Sequence, residues 1–277
     1  MHRFQLLITC TVMLVATGAA QALQLVEVDV APFVDGGQIK THSFSDDAGA
    51  FIDTSGNARV FAYDLTGEGI PAGSMLGLDD PGFNTELFEG EFAATTGFTP
   101  GSFVGISVQA ALKHWDATGT PDFQPVTNGE SFLLDNFGVS RQVGAAFDPT
   151  DFYVFEVEGA PDTGAFHGHL VSIMEDSSLG MLGIYLVEVI VINGDLTNAA
   201  DGTGTRNSAL APSQSIFFLY NFEMSEDDFE AAVDAFAATL NGTQPNGDVP
   251  EPATAMLALL ALPALAGRRR SRGQRAA

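Results

Sequence analysis

Apolar and polar residues alternate with a period of two in one segment after another between residues 25 and 222. That period sends successive side chains to opposite faces, as in a strand with one wet side. It predicts strands over residues 25–30, 58–65, 101–108, 131–136, 151–158, 166–174, 183–192 and 215–222. Residues 184–192 are almost continuously apolar and rich in β-branched side chains, which predicts a central strand. Turn residues fill the gaps: Asp35-Gly36-Gly37, Asp80-Pro81-Gly82, Asn128-Gly129 and Asn193-Gly194-Asp195. The period changes to that of a helix only at residues 226–240, where Phe229, Val233, Phe236 and Leu240 form one stripe. Ser225 is placed to cap it, and Glu226, Asp227 and Asp228 put negative charge in its first turn. Asn241-Gly242 ends it. Many short strands and one helix predict an all-β domain over residues 23–242, a β-sandwich or jelly roll closed at its edge by an amphipathic helix.

The two ends follow other rules. Residues 1–22 have a basic start, an apolar middle and Ala20-Gln21-Ala22, the small-x-small pattern of a signal peptide cut after Ala22. Cleavage removes Cys10, the single cysteine, so the exported domain folds without disulfides. At the other end a polar linker, residues 243–249, leads to Pro250-Glu251-Pro252. An apolar run over residues 253–267 follows, and then Arg268, Arg269, Arg270, Arg272 and Arg275. The run is shorter than the ~20 residues that span a bilayer comfortably. The arginines mark its cytoplasmic end. Motif, single hydrophobic helix and basic stop, in this order at the C-terminus, resemble the PEP-CTERM sorting tail of Gram-negative bacteria. The resemblance implies processing by signal peptidase and an exosortase. It also implies transient anchoring in the inner membrane through residues 253–267, and a destination at the cell envelope, outer surface or extracellular matrix.

Charge narrows the partners. The whole chain carries −24, but between Leu23 and Pro250 there are 34 acidic against 5 basic side chains, a net of −29. Such a surface repels phosphate backbones, which excludes nucleic-acid binding. It does not indicate disorder, because 22 phenylalanines are spread along the chain.

Candidate chemistry is sparse. No Gly-x-Ser-x-Gly, no HExxH and no phosphate loop occurs. The absence of these motifs favours a non-enzymatic role, with a hydrolase of unknown class as one alternative. The clearest site is His167-Gly168-His169: on a strand the two imidazoles share a face, their Cα atoms about 6.5–7 Å apart, and can reach one zinc or other divalent ion. Asp29, which shares a strand face with Glu27, and His42 are the candidates for further ligands. Asp46-Asp47 with Asp53, and residues 195–205, are oxygen-rich stretches that read either as Ca²⁺ loops or as ordinary turns. Trp115 reads either as a platform for a sugar of an exopolysaccharide, which makes a carbohydrate-associating sandwich a further alternative, or as packing.

Several motifs occur in an order found in one family: Glu27-Val28-Asp29-Val30, Asp35-Gly36-Gly37-Gln38-Ile39, residues 59–64 and 79–84, His167-Gly168-His169, and residues 183–186 and 225–233. In these the chain resembles exported PEP-CTERM proteins related to choice-of-anchor M surface proteins, some of them zinc-regulated. The resemblance implies association with zinc and no particular reaction. Where the family reads His-x-Asp-x-Gly, this chain has Glu27, Asp29 and Ala31, so only the aspartate is kept.

Overall fold

The computed structural model describes residues 28–45, 50–53, 55, 57–65, 76–78, 81–85, 96–136, 138–159 and 164–242. The signal segment with Ala20 and Ala22, Glu27, Asp46, Asp47, the linker, the Pro250-Glu251-Pro252 motif and the apolar run all lie outside these residues. The chain divides into two compact units, Met1–Phe236 and Ala237–Ala277; of the second, the described part is the end of the helix. No helix among the described residues is long and apolar enough to cross a membrane.

The described residues are mostly strand, with one α-helix. In chain order they are β1 (Val28–Asp35), β2 (Gln38–Ser45), β3 (Ala50–Asp53), β4 (Val60–Asp64), β5 (Leu76–Leu78) and β6 (Gly82–Asn84). Then come β7 (Phe103–Val108), β8 (Lys113–Trp115), β9 (Gln124–Pro125), β10 (Phe132–Asn136), β11 (Val139–Val143) and β12 (Phe152–Glu156). The last are β13 (His167–His169), β14 (Val171–Met174), β15 (Gly183–Asn198), β16 (Thr203–Arg206), β17 (Ile216–Phe222) and α1 (Glu226–Gly242). They form a five-stranded sheet ordered β13-β6-β1-β2-β3 and a four-stranded sheet ordered β11-β10-β14-β5. The third sheet follows the path β12-β7-β15-β17-β4, with β8, β9 and β16 attached.

One apolar core joins the three sheets. Val28, Val30, Ile39 and Phe83 come from the five-stranded sheet, and Phe132, Leu134, Val143 and Met174 from the four-stranded one. Tyr185, Val187, Val189, Val191, Phe218 and Tyr220 come from the third. Central strand β15 is buried on both faces at its start, as its unbroken apolar run predicts. Helix α1 lies over a face of the third sheet rather than over an edge. Phe229 and Val233 are fully buried, and Phe236 meets the ring of Phe217 of β17 at 5.3 Å and that of Phe123 at 5.1 Å. Ser225 caps it as its sequence indicates, with Oγ accepting from the Asp228 amide at 3.3 Å.

Three departures from the alternation matter. Residues 166–174 are two strands, β13 and β14, which break at Leu170 and enter different sheets. Asn193-Gly194-Asp195 is the interior of β15 and no turn. The Asn193 amide donates to Ser102 Oγ at 2.8 Å, and a Cβ on Gly194 would meet the Thr205 carbonyl oxygen at 2.1 Å. Glycine there permits close backbone approach. Residues 195–205, read as a candidate Ca²⁺ loop, are largely the β15–β16 hairpin.

Candidate functional site

The site is built on the face of the five-stranded sheet that points away from the core. β13 pairs with β6 antiparallel, placing His167 opposite Asn84, Gly168 opposite Phe83 and His169 opposite Gly82. β6 pairs with β1 in parallel through Phe83 and Val30, and β1 pairs with β2 with Ala31 opposite His42. Alternation then puts Val30, Phe83 and Gly168 on the core face. Asp29, His42, Gly82, Asn84, His167 and His169 all share the other face.

Two glycines shape this face. A Cβ on Gly168 would stand 2.7 Å from Cδ1 and Cε1 of Phe155, whose ring stacks on Phe83 at 5.0 Å and on Phe166 at 5.9 Å. An aromatic stack presses the strand from behind, and only a residue without a side chain fits. A Cβ on Gly82 would stand 1.9 Å from Asp29 Oδ1. The Asp29 carboxylate therefore occupies the place of the missing Gly82 side chain, beside the residue that faces His169. Asp29 is 3% exposed, whereas His167 is exposed and His169 half-buried.

The imidazoles meet each other, with Nε2 of His167 and Nε2 of His169 3.2 Å apart and ring centroids 5.1 Å apart. The carbonyl of His169 accepts from the Asn136 amide at 2.8 Å, which ties this edge strand to β10. Two nitrogens bound to one tetrahedral zinc at 2.0–2.1 Å lie about 3.3 Å apart, so the pair fits such an ion. The third donor is less advanced: among the described residues no three His, Cys, Asp or Glu side chains converge on one point. Asp29 is two strands in from the pair and leans toward it. His42 is three strands in, about 14 Å at a strand spacing of 4.7–4.9 Å. Its ring stacks on Phe33 at 4.3 Å, and burial lowers its pKa against the opposing pull of Asp53. His42 therefore stands apart from the pair, packed on the same face.

The other candidates disperse. Asp201 accepts from the Thr203 amide and hydroxyl at 2.9 and 2.7 Å and from Asn198 at 2.8 Å. These bonds hold its carboxyl below the usual range and close a turn. Asp53 accepts from the Ser55 amide at 2.7 Å. Trp115 is 4% exposed, packs on Phe123 at 5.5 Å and donates to the Thr118 carbonyl at 3.1 Å, so it presents no face to a sugar.

One buried carboxylate went unmarked in the alternation. Glu130 is 1% exposed, and burial, aided by Asp176 and Glu175, pushes its carboxyl above the usual range. The signal was present: Glu130 has the parity of the inward-facing Phe132 and Leu134. No protein-family model, curated protein or solved structure matches the chain.

Proposed function

We propose that this chain is an exported, non-enzymatic protein of the cell envelope or extracellular matrix, sorted by a PEP-CTERM tail, whose β domain holds a divalent metal ion, zinc foremost. In this reading the three sheets make a β-sandwich or jelly-roll body around the shared core. His167 and His169 are the anchoring ligands. Asp29, turning over Gly82, is the nearest further donor from the protein. The ion supplies a bridge between strands β13 and β1, and the protein supplies the donors and the stack that fixes their strand.

The observation that carries the metal reading is the 3.2 Å separation of the two Nε2 atoms on an accessible sheet edge. The acidic surface supports it by drawing cations. The export reading rests on the two ends of the sequence, residues 1–22 and 250–277. The test is calorimetric titration of zinc into chelator-treated, dialysed protein. Micromolar binding at one ion per chain, lost in the His167→Ala/His169→Ala variant, is the expected result. No binding, or equal binding by the variant, would remove the site.

A further inference from the structure

Glu130 lies where β10 begins, opposite Asp176, because the Glu175 amide donates to the Ser131 carbonyl at 3.1 Å. Its backbone is held by the Asn128 side chain, which accepts from its amide at 3.1 Å. Its Oε1 accepts from the Ser131 amide at 2.9 Å, while its Oε2 is buried with no hydrogen-bond partner. Ser131 and Glu175 belong to the opposite face of the sheet. There Glu175 is satisfied by the Ser131 hydroxyl and, at 2.6 Å, by the Gln142 amide.

The segment that follows, residues 176–182, is held by its backbone and by Asp176, whose Oδ1 accepts from the Ser178 amide at 2.9 Å and hydroxyl at 2.5 Å, a cap that asparagine Oδ1 can also make. The Asn128 amide donates to the Leu179 carbonyl. The Met181 amide donates to the Tyr185 hydroxyl at 2.8 Å. His114 Nε2 lies 3.2 and 3.1 Å from the carbonyls of Met181 and Leu182. Two carbonyls can only accept, so that nitrogen carries the proton. Gly180 rests on the Phe222 ring, 2.4 Å from where its Cβ would be. So clamped, the segment displays Leu179 at 37% and Leu182 at 59% exposure, the large apolar side chains most open to solvent among the described residues.

We propose that Glu130 is a proton-controlled latch for residues 176–182. As the neutral acid it stays buried beside the closed segment. As the carboxylate it places a charge in a site with one oxygen unsatisfied, a state relieved only by admitting water, and water enters only when the segment lifts. Burial biases Glu130 toward the neutral form. The amides of Ser131 and Asp176 pull the other way, and the carboxylates of Asp176 and, from the opposite face of the sheet, Glu175 add smaller pushes toward the neutral acid. From β15 the Tyr185 hydroxyl faces the same site, and its own proton is held more tightly because of burial and of Glu130. Low pH therefore shuts the segment and rising pH frees it, which couples the acidity of the surroundings to the stretch bearing Leu179 and Leu182.

The test is amide hydrogen exchange on the full chain, read at Leu179, Gly180 and Met181 from pH 4.5, the ordinary value of the carboxyl, upward to neutral. After correction for the intrinsic rise of exchange with pH, protection falls by up to about tenfold per pH unit as Glu130 ionises, the limit for one proton. Glu130→Gln, a shape copy of the neutral acid, gives a flat profile. Asp176→Asn removes a facing charge and moves the fall to lower pH. A flat profile in the wild type, the same fall in Glu130→Gln, or an unmoved fall in Asp176→Asn would each overturn the latch.

Discussion

Replacing Gly168 by alanine puts a methyl carbon 2.7 Å from two ring carbons of Phe155. Carbon atoms pack best at about 3.5–4.0 Å, so about 1 Å must be found. The Phe155 ring is 4% exposed and held between Phe83 and Phe166, which leaves it little room to turn. Overpacking of this kind costs about 1–3 kcal/mol. β13 is a three-residue edge strand and can yield part of the distance. Alanine also stiffens the unfolded chain, a gain of about 0.4–1 kcal/mol at a position whose φ it tolerates. The net expectation is a loss of about 1–2 kcal/mol, or about 2–8 °C in Tm for a domain of this size. Urea denaturation should show a lower midpoint with an unchanged slope. Phe155→Leu added to Gly168→Ala should restore part of the loss, with a coupling of at least about 0.5 kcal/mol. A Gly168→Ala protein as stable as the wild type, or a double variant whose losses simply add, would refute the argument that the aromatic stack demands glycine between the histidines.

Other outcomes follow from the same packing. Zinc binding should weaken at least about tenfold in Asp29→Asn as well, measured by the same titration, if the carboxylate turns over Gly82 to join the pair. Arg141 is 7% exposed, donates to the carbonyls of Ser140 and Asp201 at 2.9 and 2.8 Å, and lies 3.4 Å from Asp148. Arg141→Ala should cost about 2 kcal/mol in chemical denaturation, and Arg141→Lys should recover little, because lysine lacks the planar fork. Burial lowers the His42 pKa below its ordinary 6.5, so the folded state binds its proton less readily than the unfolded chain does. The stability contributed by neutral His42 is thus whole above pH 6.5 and is lost as pH falls below it. The denaturation midpoint of the wild type should drop more on acidification through that range than that of His42→Gln.

Much of the strand pattern was legible because it is local. Alternation found the positions of β4, β7, β10, β12, β17 and most of β15, and the capping and stripe of residues 225–240 found α1. It missed β2, β11 and β16, the short strands β3, β5, β8 and β9, and β6, whose Gly82 it read as part of a turn. Lys40, Thr41 and His42 in β2, and Ser140, Arg141 and Gln142 in β11, interrupt the apolar rhythm. These strands are held by ladder partners, which no composition rule encodes. The histidine pair was legible because both imidazoles sit on one three-residue strand, where spacing alone fixes their common face. Asp29 lies nearer to them than His42 does only because of the strand order β13-β6-β1-β2.

By itself the sequence determined which residues alternate, where the helix begins, what charge the surface bears and that two imidazoles stand side by side, since each depends on neighbours within a few positions. Tertiary structure decided that Gly82 makes room for Asp29, that Phe155 forbids a side chain at Gly168 and that Glu130 is buried opposite Asp176. Those are contacts between segments distant in sequence, and strand pairing and core packing, rather than local propensity, bring them together.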